Sequence, residues 1–468
     1  MRQRTTRLSG LSKDRGIMSR KTSRKEEYAR KLVSPEEAVK IVKSGDWIDY
    51  GFGHTKPIAL DAALAARKDE LKEINIHSAL SLSPHACAEA DPEGRVFTIQ
   101  SWHFGGLDRK LHDRGRCFYH PMVFRNQGLY YRKSITNLVD VAMLRVTSMD
   151  SRGFFNFHCG VAAERAVVDV AKHVIVEVDD QLPWAMGGRE EVIHLTEVDY
   201  IVEQSSPPEI VPSAVASETD RKIARHIVPH IANGACLQLG IGGLPNSVGT
   251  LLAESDIEDL GCHTEMLVDA YYELYKAGKL TNKRKKIDRG RSVYAFAMGS
   301  KALYDWIDHN PSLAAFPVSY TNDPYVMARN AHLVSINACV EVDLYGQISS
   351  ESSGIRQISG TGGQLDYATG AYLSKGGISF ICCGSTHKDK QGNTKSTIVP
   401  TLSPGSIVTV PRSQAHKIVT EYGIADLAGR STWQRAEALI EIAHPDLRED
   451  LVKAAEDQRI WRRSNKVA

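Results

Sequence analysis

A glycine-rich turn and a glutamate that follows it are the residues of this sequence whose types and spacing could do chemistry together. The turn reads Gly240-Ile241-Gly242-Gly243-Leu244-Pro245, and Glu265 follows on a nearby segment, directly after His263 and Thr264. Glycines let the backbone approach a ligand closely, and the N–H groups of a following helix can face an anion or a developing oxyanion. An isolated glutamate is normally solvated, so the role of Glu265 is the central question.

A second glycine cluster, Ser359-Gly360-Thr361-Gly362-Gly363, lies in the same half of the chain. Taken alone, it is as typical of a plain turn as of a functional loop. Together with the turn at Gly240, it could supply a second set of backbone donors to the same pocket.

Nucleotide and metal sites are disfavoured by the same residues. In the spacing Gly240-x-Gly242-x-x-Pro245, a proline takes the place of the third glycine of a dinucleotide-binding loop. No clear second strand ends in an acidic residue that could bind a ribose, and the motifs GxxxxGK[ST] and HExxH are absent. We therefore expect neither a Rossmann dehydrogenase nor a P-loop enzyme, and no metal site.

The elements that must position the glycine turn occur twice. Each copy consists of a helix pattern, a strand pattern and a GxG turn. In the first copy these are residues 34–43, 47–50 and 51–53, and in the second they are residues 220–231, 235–239 and 240–242. In the second copy the turn continues into a helix-like segment over 246–254.

A further correspondence supports an internal duplication. Asp150 precedes Gly153 by three residues, and Asp343 precedes Gly346 by three. The two aspartates are 193 residues apart, and the first glycines of the two GxG turns are 189 apart. These nearly equal offsets indicate two related halves, although chance similarity between α/β units is the alternative.

We therefore expect an α/β protein made of two related open α/β domains with mainly parallel sheets. A proline-rich run over 205–212 suggests the boundary, which divides the chain into a basic tail (1–30), an N-terminal domain (31–206) and a C-terminal domain (207–468). Ligands of such folds bind beyond the carboxyl ends of the strands, so we place the site between the domains.

Composition is that of a globular protein. The chain has 468 residues, 42% hydrophobic and 24% charged, with 58 basic against 56 acidic residues, so its charge favours neither nucleic acid nor an anionic membrane. Eight cysteines are scattered without a CxxC pair, which predicts a reduced, cytoplasmic protein.

Residues 1–30 are rich in Arg and Lys. We expect a disordered basic tail, which could be an extension upstream of a start at Met18, with an organellar transit peptide as the alternative. No apolar run follows, so a secretory signal is excluded, and no stretch elsewhere approaches the roughly 20 apolar residues of a membrane span.

Six stretches of the C-terminal half carry a resemblance to a known family: LGIGGLPNSV, HTEMLVDA, INACVEVDLYGQISSES, SGTGGQLDYATGA, VTEYGIADLAG and IAHPDLR. From Ser34 to about Asp450 the sequence resembles the acetyl-CoA hydrolase/transferase family of class I coenzyme A transferases, most closely the 4-hydroxybutyrate and butyrate CoA-transferases. The N-terminal half matches more loosely. The resemblance implies the CoA-transferase fold.

The resemblance also implies roles for particular residues. Glu265, within the His-Thr-Glu-Met motif, corresponds to the nucleophile of the family. The turn from Gly240 to Leu244 and the pair Gly362-Gly363 would line the coenzyme A and thioester site, and Val340 would contact the coenzyme. Glu341 is the rival nucleophile, which we interpret as structural because it lies within a strand and lacks the motif.

The implied activity is an acyl-CoA:carboxylate CoA-transferase that works by ping-pong exchange through a covalent glutamyl-CoA thioester. Donors would be acetyl-, butyryl- or succinyl-CoA, and acceptors 4-hydroxybutyrate, butyrate or itaconate. Coenzyme A is expected as a co-substrate without a tightly bound cofactor, and a homo-oligomer is left open. The alternatives are an acetyl-CoA hydrolase and a non-catalytic acyl-CoA-binding protein.

The acyl-selecting pocket is expected in the N-terminal half, where the sequence departs from the family at GHTKP and in the segment 179–184. His54, Lys56 and Arg189 would suit a second carboxylate, such as that of succinate or itaconate. Each of them is alternatively an ordinary surface residue.

Overall fold

The computed structural model describes residues 23–462, and its N-terminal half is built on one large parallel sheet. The strands of this half are β1 (Trp47–Phe52), β2 (Ile74–Ala79), β3 (Phe97–Ser101), β4 (Cys117–Tyr119), β5 (Val141–Thr147), β6 (Phe154–Asn156), β7 (His173–Asp179), β8 (Val192–His194) and β9 (Tyr200–Glu203). The helices are α1 (Arg24–Lys31), α2 (Pro35–Ala38), α3 (Ala59–Ala66), α4 (Ala86–Ala90), α5 (Gly106–His112), α6 (Gln127–Arg132) and α7 (Glu164–Val170).

Seven of these strands form the sheet in the order β4-β3-β2-β1-β5-β7-β9. All neighbouring pairs are parallel. The central strand β5, VAMLRVT, is buried at every residue, as expected for a parallel strand covered on both faces. The short strands β6 and β8 pair antiparallel beside the sheet.

The C-terminal half contains a second sheet and several short two- and three-stranded ones. Its helices are α8 (Glu218–Ile227), α9 (Gly243–Glu254), α10 (Asp269–Lys276), α11 (Lys301–Ile307), α12 (Val318–Thr321), α13 (Pro324–Met327), α14 (Gln364–Leu373), α15 (Thr432–Glu441) and α16 (Arg448–Asp457). Its strands are β10 (Cys236–Leu239), β11 (Gly261–Cys262), β12 (Met266–Leu267), β13 (Ser292–Tyr294), β14 (Phe296–Ala297), β15 (Leu313–Ala315), β16 (Leu333–Ala338), β17 (Glu341–Asp343), β18 (Ile348–Ser349), β19 (Ser352–Ser353), β20 (Arg356–Gln357), β21 (Ile378–Cys382), β22 (Thr386–Lys388), β23 (Thr394–Ser396), β24 (Ile398–Val399), β25 (Lys417–Thr420) and β26 (Gly423–Asp426).

The second sheet has the order β11-β10-β16-β21-β25-β26 and is parallel except at the pair β25–β26. Five of its strands, β11-β10-β16-β21-β25, correspond in order and direction to β2-β1-β5-β7-β9 of the first sheet. The strand β1, which ends within the first GxG sequence, and β10, which precedes the second, therefore occupy the same place. The predicted fold class, two related open α/β domains with mainly parallel sheets, is confirmed.

The two Asp-x-x-Gly turns have the same local structure. Asp150 Oδ1 accepts hydrogen bonds from the backbone amides two and four residues later, and Asp343 Oδ1 does the same. Gly153 and Gly346 adopt φ angles of 93° and 86°, which favour glycine. The similarity seen in the sequence therefore corresponds to a repeated turn.

The expected disordered tail is wrong for residues 24–30, because these residues belong to α1. Ser23 and Glu26 form a capping box at its start, and Tyr28 Oη donates to Glu203 Oε1 at 2.7 Å. These contacts satisfy the first amides of the helix and hold it against the first sheet. Residues 1–22 lie outside the described part of the chain.

The two sheets are joined by residues 204–217, which contain neither helix nor strand. The predicted domain boundary at 206/207 lies within this segment and stays a prediction. Further contacts join the halves: Ala297 N donates to Cys159 O at 2.9 Å, and Ala162 N donates to Ala295 O at 3.1 Å. The chain next to β14 is therefore hydrogen-bonded to both halves.

Candidate active site

Glu265 lies between β11 and β12, at the carboxyl edge of the second sheet. Its backbone carbonyl accepts hydrogen bonds from Ala295 N at 2.9 Å and from Phe296 N at 3.1 Å. Because the segment 295–297 is also bonded to the N-terminal half, the backbone of Glu265 is fixed from two sides. A rigid backbone is what a reacting side chain requires.

The Glu265 carboxylate is held by one side chain, Asn322. Asn322 Nδ2 donates to Glu265 Oε2, and Thr321 Oγ1 donates to Asn322 Oδ1 at 2.9 Å. The threonine hydroxyl therefore fixes which end of the amide faces the carboxylate. Both residues are fully buried at the end of α12.

Burial raises the pKa of Glu265 from 4.5 to about 7, and the hydrogen bond from Asn322 offsets part of this shift. A carboxylate that ionises near neutral pH, in a partly desolvated place, is a better nucleophile than a solvated one. The arrangement is therefore suited to attack on an electrophilic carbonyl.

His263 contacts the backbone of Thr321, the residue before Asn322. Burial lowers its pKa to about 3, so the ring is neutral, and its Nε2 donates to Thr321 O at 2.9 Å. Tyr367 Oη donates to the same carbonyl at 2.9 Å. His263 thus helps to position Thr321, and through it Asn322.

The second glycine cluster packs directly on Glu265. A methyl group placed on Gly363 would lie 2.2 Å from Glu265 Oε2 and 2.6 Å from Asn322 Nδ2, so only glycine fits there. Gly362 has a φ of 50° and also faces the carboxylate. Among residues 23–462, no acceptor is bonded to the amides of Gly362 and Gly363, which are therefore available to a ligand.

The turn at Gly240 begins where β10 ends, and β10 is the parallel neighbour of β11. Thr264 Oγ1 lies 3.4 Å from Leu239 O, so the turn and Glu265 adjoin at one sheet edge. Gly242 has a φ of 129°, and Ile241 is 45% exposed. The following helix begins at Gly243 rather than at 246 as predicted, because a proline in the first turn is compatible with a helix.

Two residues of the N-terminal half reach the second glycine cluster, and the sequence did not single them out. Tyr119, at the end of β4, accepts a hydrogen bond from Thr361 N at 3.1 Å. His103, just after β3, lies beside Gly360 and Gly362. Neither residue belongs to a recognisable motif, and each reaches the site only because the carboxyl ends of β3 and β4 lie against the second glycine cluster.

Val340 and Glu341 lie beyond the carboxyl end of β16. Val340 N donates to Ser349 O, and its side chain is partly exposed. Glu341 accepts hydrogen bonds from Ser403 and Ser406, at 2.9 Å and 2.6 Å from their hydroxyls. These bonds tie Glu341 to a loop, which agrees with its interpretation as a structural residue.

The three candidates for a second carboxylate site are engaged elsewhere. His54 is buried between Glu209 and Tyr304, and Lys56 is buried against Asp61 at 2.9 Å. Arg189 lies 4.4 Å from the ring centre of Tyr320. The suggestion that His54 and Lys56 are surface residues is therefore wrong, and both side chains already have hydrogen-bond partners within the protein.

No helix between residues 23 and 462 is long and apolar enough to cross a bilayer. Within the same range, no group of three or more His, Cys, Asp or Glu side chains is placed to hold a metal ion.

Comparison with known proteins identifies the family. Residues 17–212 match the acetyl-CoA hydrolase/transferase N-terminal domain, and residues 299–455 match the corresponding C-terminal domain. The butyryl-CoA:acetate CoA-transferase of Anaerostipes caccae is 53% identical over 444 residues, covering 94% of this chain and 99% of that protein. The probable butyrate:acetyl-CoA coenzyme A-transferase of Syntrophomonas wolfei is 50% identical over 443 residues, covering 94% and 98%. The crystal structure of RipA from Yersinia pestis superposes with a TM-score of 0.86 at 34% identity, covering 94% of this chain and all 100% of that one. The chain belongs to the acetyl-CoA hydrolase/transferase family.

Proposed function

We propose that the protein is an acyl-CoA:carboxylate CoA-transferase in which Glu265 is the nucleophile. The observation that carries this proposal is the surroundings of its carboxylate, which is buried, ionises near pH 7 and packs against Gly362 and Gly363, whose amides are bonded to no acceptor among residues 23–462. A site of this kind has both a reactive carboxylate and donors for the oxyanion that its attack creates.

The reaction proceeds through an anhydride and then a glutamyl-CoA thioester. The Glu265 carboxylate attacks the acyl-CoA carbonyl carbon, a C–O bond forms, the C–S bond breaks, and coenzyme A leaves as a thiolate. The thiolate then attacks the glutamyl carbonyl of the resulting anhydride, which releases the first acid and leaves a glutamyl-CoA thioester. A second acid repeats these steps in reverse, so the thioester bond is conserved.

The chain supplies the donors that these steps need. Negative charge develops on a carbonyl oxygen at each attack, and Gly362 and Gly363, which lie against the Glu265 carboxylate, have amides without an acceptor among residues 23–462. A donor of this kind contributes roughly 3 kcal/mol to the transition state. Asn322, already bonded to the carboxylate, is suited to stabilise the oxyanion on the glutamyl carbon itself.

We propose short monocarboxylates of the butyrate and acetate type as the acids, with their acyl-CoA thioesters as donors. The two relatives that are at least 50% identical are named for butyrate or butyryl-CoA and acetate or acetyl-CoA. Two of the residues that could bind the second carboxylate of a dicarboxylate such as itaconate already have partners, since Lys56 is paired with Asp61 and His54 is hydrogen-bonded to Glu209; the third, Arg189, packs on the ring of Tyr320. A monocarboxylate needs no such partner.

The test is to trap the glutamyl-CoA thioester. The protein is incubated with butyryl-CoA, reduced with borohydride and digested, and we expect the peptide containing Glu265 to carry the reduced side chain. E265Q should lose both the modification and CoA transfer to acetate, whereas E341Q, the matched control at the rival glutamate, should keep both.

Full transfer by E265Q, or modification of Glu341, would contradict the proposed nucleophile. Loss of butyryl-CoA at the same rate with and without acetate would instead indicate a hydrolase. An intact protein that binds butyryl-CoA but never becomes modified would indicate a non-catalytic binding protein.

A further inference from the structure

His103 stands across the second glycine cluster from Glu265. A methyl group built on Gly362 would lie 3.3 Å from His103 Cε1 and 3.7 Å from Glu265 Oε1. One built on Gly360 would lie 3.0 Å from His103 Nδ1. The imidazole, from the N-terminal half, and the carboxylate, from the C-terminal half, therefore border the same short stretch of loop.

Within residues 23–462 the ring of His103 has no hydrogen-bond partner, in contrast to the rings of several buried histidines. Its two nitrogens make no hydrogen bond or ion pair with any residue in the range 23–462. In contrast, His54 is bonded to Glu209, His85 to Ser81 and His263 to Thr321. A partly buried ring without a protein partner, at the edge of a reaction site, is available to a ligand.

The ring is also electrically neutral at physiological pH. Burial lowers the pKa of His103 to about 4, and Asp108 and Arg109 act on it in opposite directions. A neutral imidazole holds one N–H donor and one acceptor nitrogen. It can therefore donate to an anionic oxygen without adding a charge that would hold Glu265 ionised.

The nearest side-chain amide is already in use, because Asn322 donates to Glu265 itself. The amides of Gly362 and Gly363 are assigned to the oxyanion, and Tyr119 Oη is held beside the loop by accepting from Thr361 N. A carboxylic acid that reacts with Glu265 brings two oxygens into a partly desolvated space. One oxygen attacks, and the other needs a donor to replace water.

We propose that His103 binds the carboxylate of the acid substrate, by donating a ring N–H to the oxygen that does not attack. This inference rests on the proposed function and adds a substrate-binding residue to it. In the acid half-reaction, the free oxygen attacks the glutamyl thioester carbon, a C–O bond forms, the C–S bond breaks and coenzyme A leaves as a thiolate. The histidine keeps its proton throughout, and it remains bonded to the acyl oxygen of the anhydride.

The experiment measures acid binding separately from thioester formation. Wild-type protein, H103L, H103N and H103Q are first converted to the glutamyl-CoA form with butyryl-CoA and freed of excess ligand. Each is then mixed with increasing acetate, and the rate of thioester loss gives a dissociation constant and a limiting rate. We expect H103L to form the thioester but to bind acetate about tenfold more weakly, because a hydrogen bond to a charged acceptor is lost.

The amide variants separate binding from folding. Asn and Gln retain an N–H donor at different reach, so we expect one of them to recover most of the acetate affinity. H309L, at an exposed histidine bonded to Asp308, should behave as wild type.

An unchanged acetate dissociation constant in H103L would overturn the proposal. So would a lowered melting temperature together with loss of thioester formation in all three variants, because His103 would then be structural. Thioester formation in H103L keeps the proposed function distinct from this inference, since only absence of the thioester in the wild-type protein would contradict the function.

Discussion

At the scale of single residues, the site depends on a carboxylate that is kept partly away from water. Glu265 receives one hydrogen bond from a side chain, from Asn322, and that bond offsets only part of the effect of burial on its pKa. The folded state therefore favours the protonated form more than the unfolded state does. Ionisation of Glu265, which makes it a nucleophile, therefore lowers the stability of the folded protein.

We predict that E265Q stabilises the protein at high pH. The pKa is about 7 in the folded state against 4.5 for an ordinary glutamate, so stability falls as pH rises between these values, and the full penalty applies above pH 7. The neutral amide avoids this penalty, and we expect E265Q to be more stable by about 3 kcal/mol at pH 8, with no difference below about pH 4. Urea unfolding at both pH values measures this.

The control for this prediction is E456Q, at an exposed carboxylate of α16, which should show no gain at either pH. If the free energies of unfolding of E265Q and wild type differed by the same amount at both pH values, ionisation of Glu265 would not be the cause.

At the scale of elements, the two glycine clusters differ in the space around their glycines. Gly363 is required by the space between Glu265 and Asn322, whereas a methyl group on Gly240 would meet no atom within 4 Å. The first cluster is therefore open at Gly240, although a methyl group on Gly243 of the same turn would lie 2.6 Å from Asp220 Oδ2. The second is closed against the nucleophile, so its glycines are fixed by protein atoms.

G363A should abolish CoA transfer, because its methyl group would displace either the carboxylate or the amide of Asn322. G240A should fold as wild type, and any loss should appear as a raised KM for acyl-CoA if Gly240 approaches the coenzyme. Steady-state kinetics and melting temperatures of the two variants separate these effects. Equal, full activity in both would contradict the packing at Gly363.

At the scale of the whole molecule, the N-terminal half holds the second glycine cluster from outside. Arg109 Nη1 donates to Ile358 O at 2.9 Å, and Arg125 forms an ion pair with Asp366. Arg356 forms a bidentate ion pair with Asp113, in which Nε donates to Oδ1 at 2.9 Å and Nη2 donates to Oδ2 at 2.7 Å. The cluster that borders Glu265 is therefore positioned by contacts across the domain interface.

We predict that R125A destabilises the folded protein by about 3 kcal/mol, because it leaves a fully buried carboxylate at Asp366 without its cation. The double variant R125A/D366N should recover part of this loss, since the buried charge is removed. R356A is the matched control; its pair with Asp113 is exposed, so the loss should stay below about 1 kcal/mol. Similar losses in R125A and R356A, measured by urea unfolding, would contradict this distinction.

The sequence by itself determined the fold class, the duplication and the place of the glycine clusters. The segment 235–239 is apolar except for Gln238 and is followed by Gly240, and that local pattern is sufficient to predict a strand followed by a turn. Glu265 could be singled out only because the sequence around it resembles that of a family. A single glutamate in a turn forms no periodic pattern from which its role could be predicted.

Only the tertiary structure decided which other side chains surround Glu265. Asn322, Tyr119 and His103 are distant from it in sequence, and their positions depend on how α12 and the first sheet pack against the second. The same packing pairs His54 and Lys56 with internal partners, which no local pattern could reveal. Local sequence specifies local conformation, whereas the desolvation that raises the pKa of Glu265 and the pairing of buried charges arise from long-range packing.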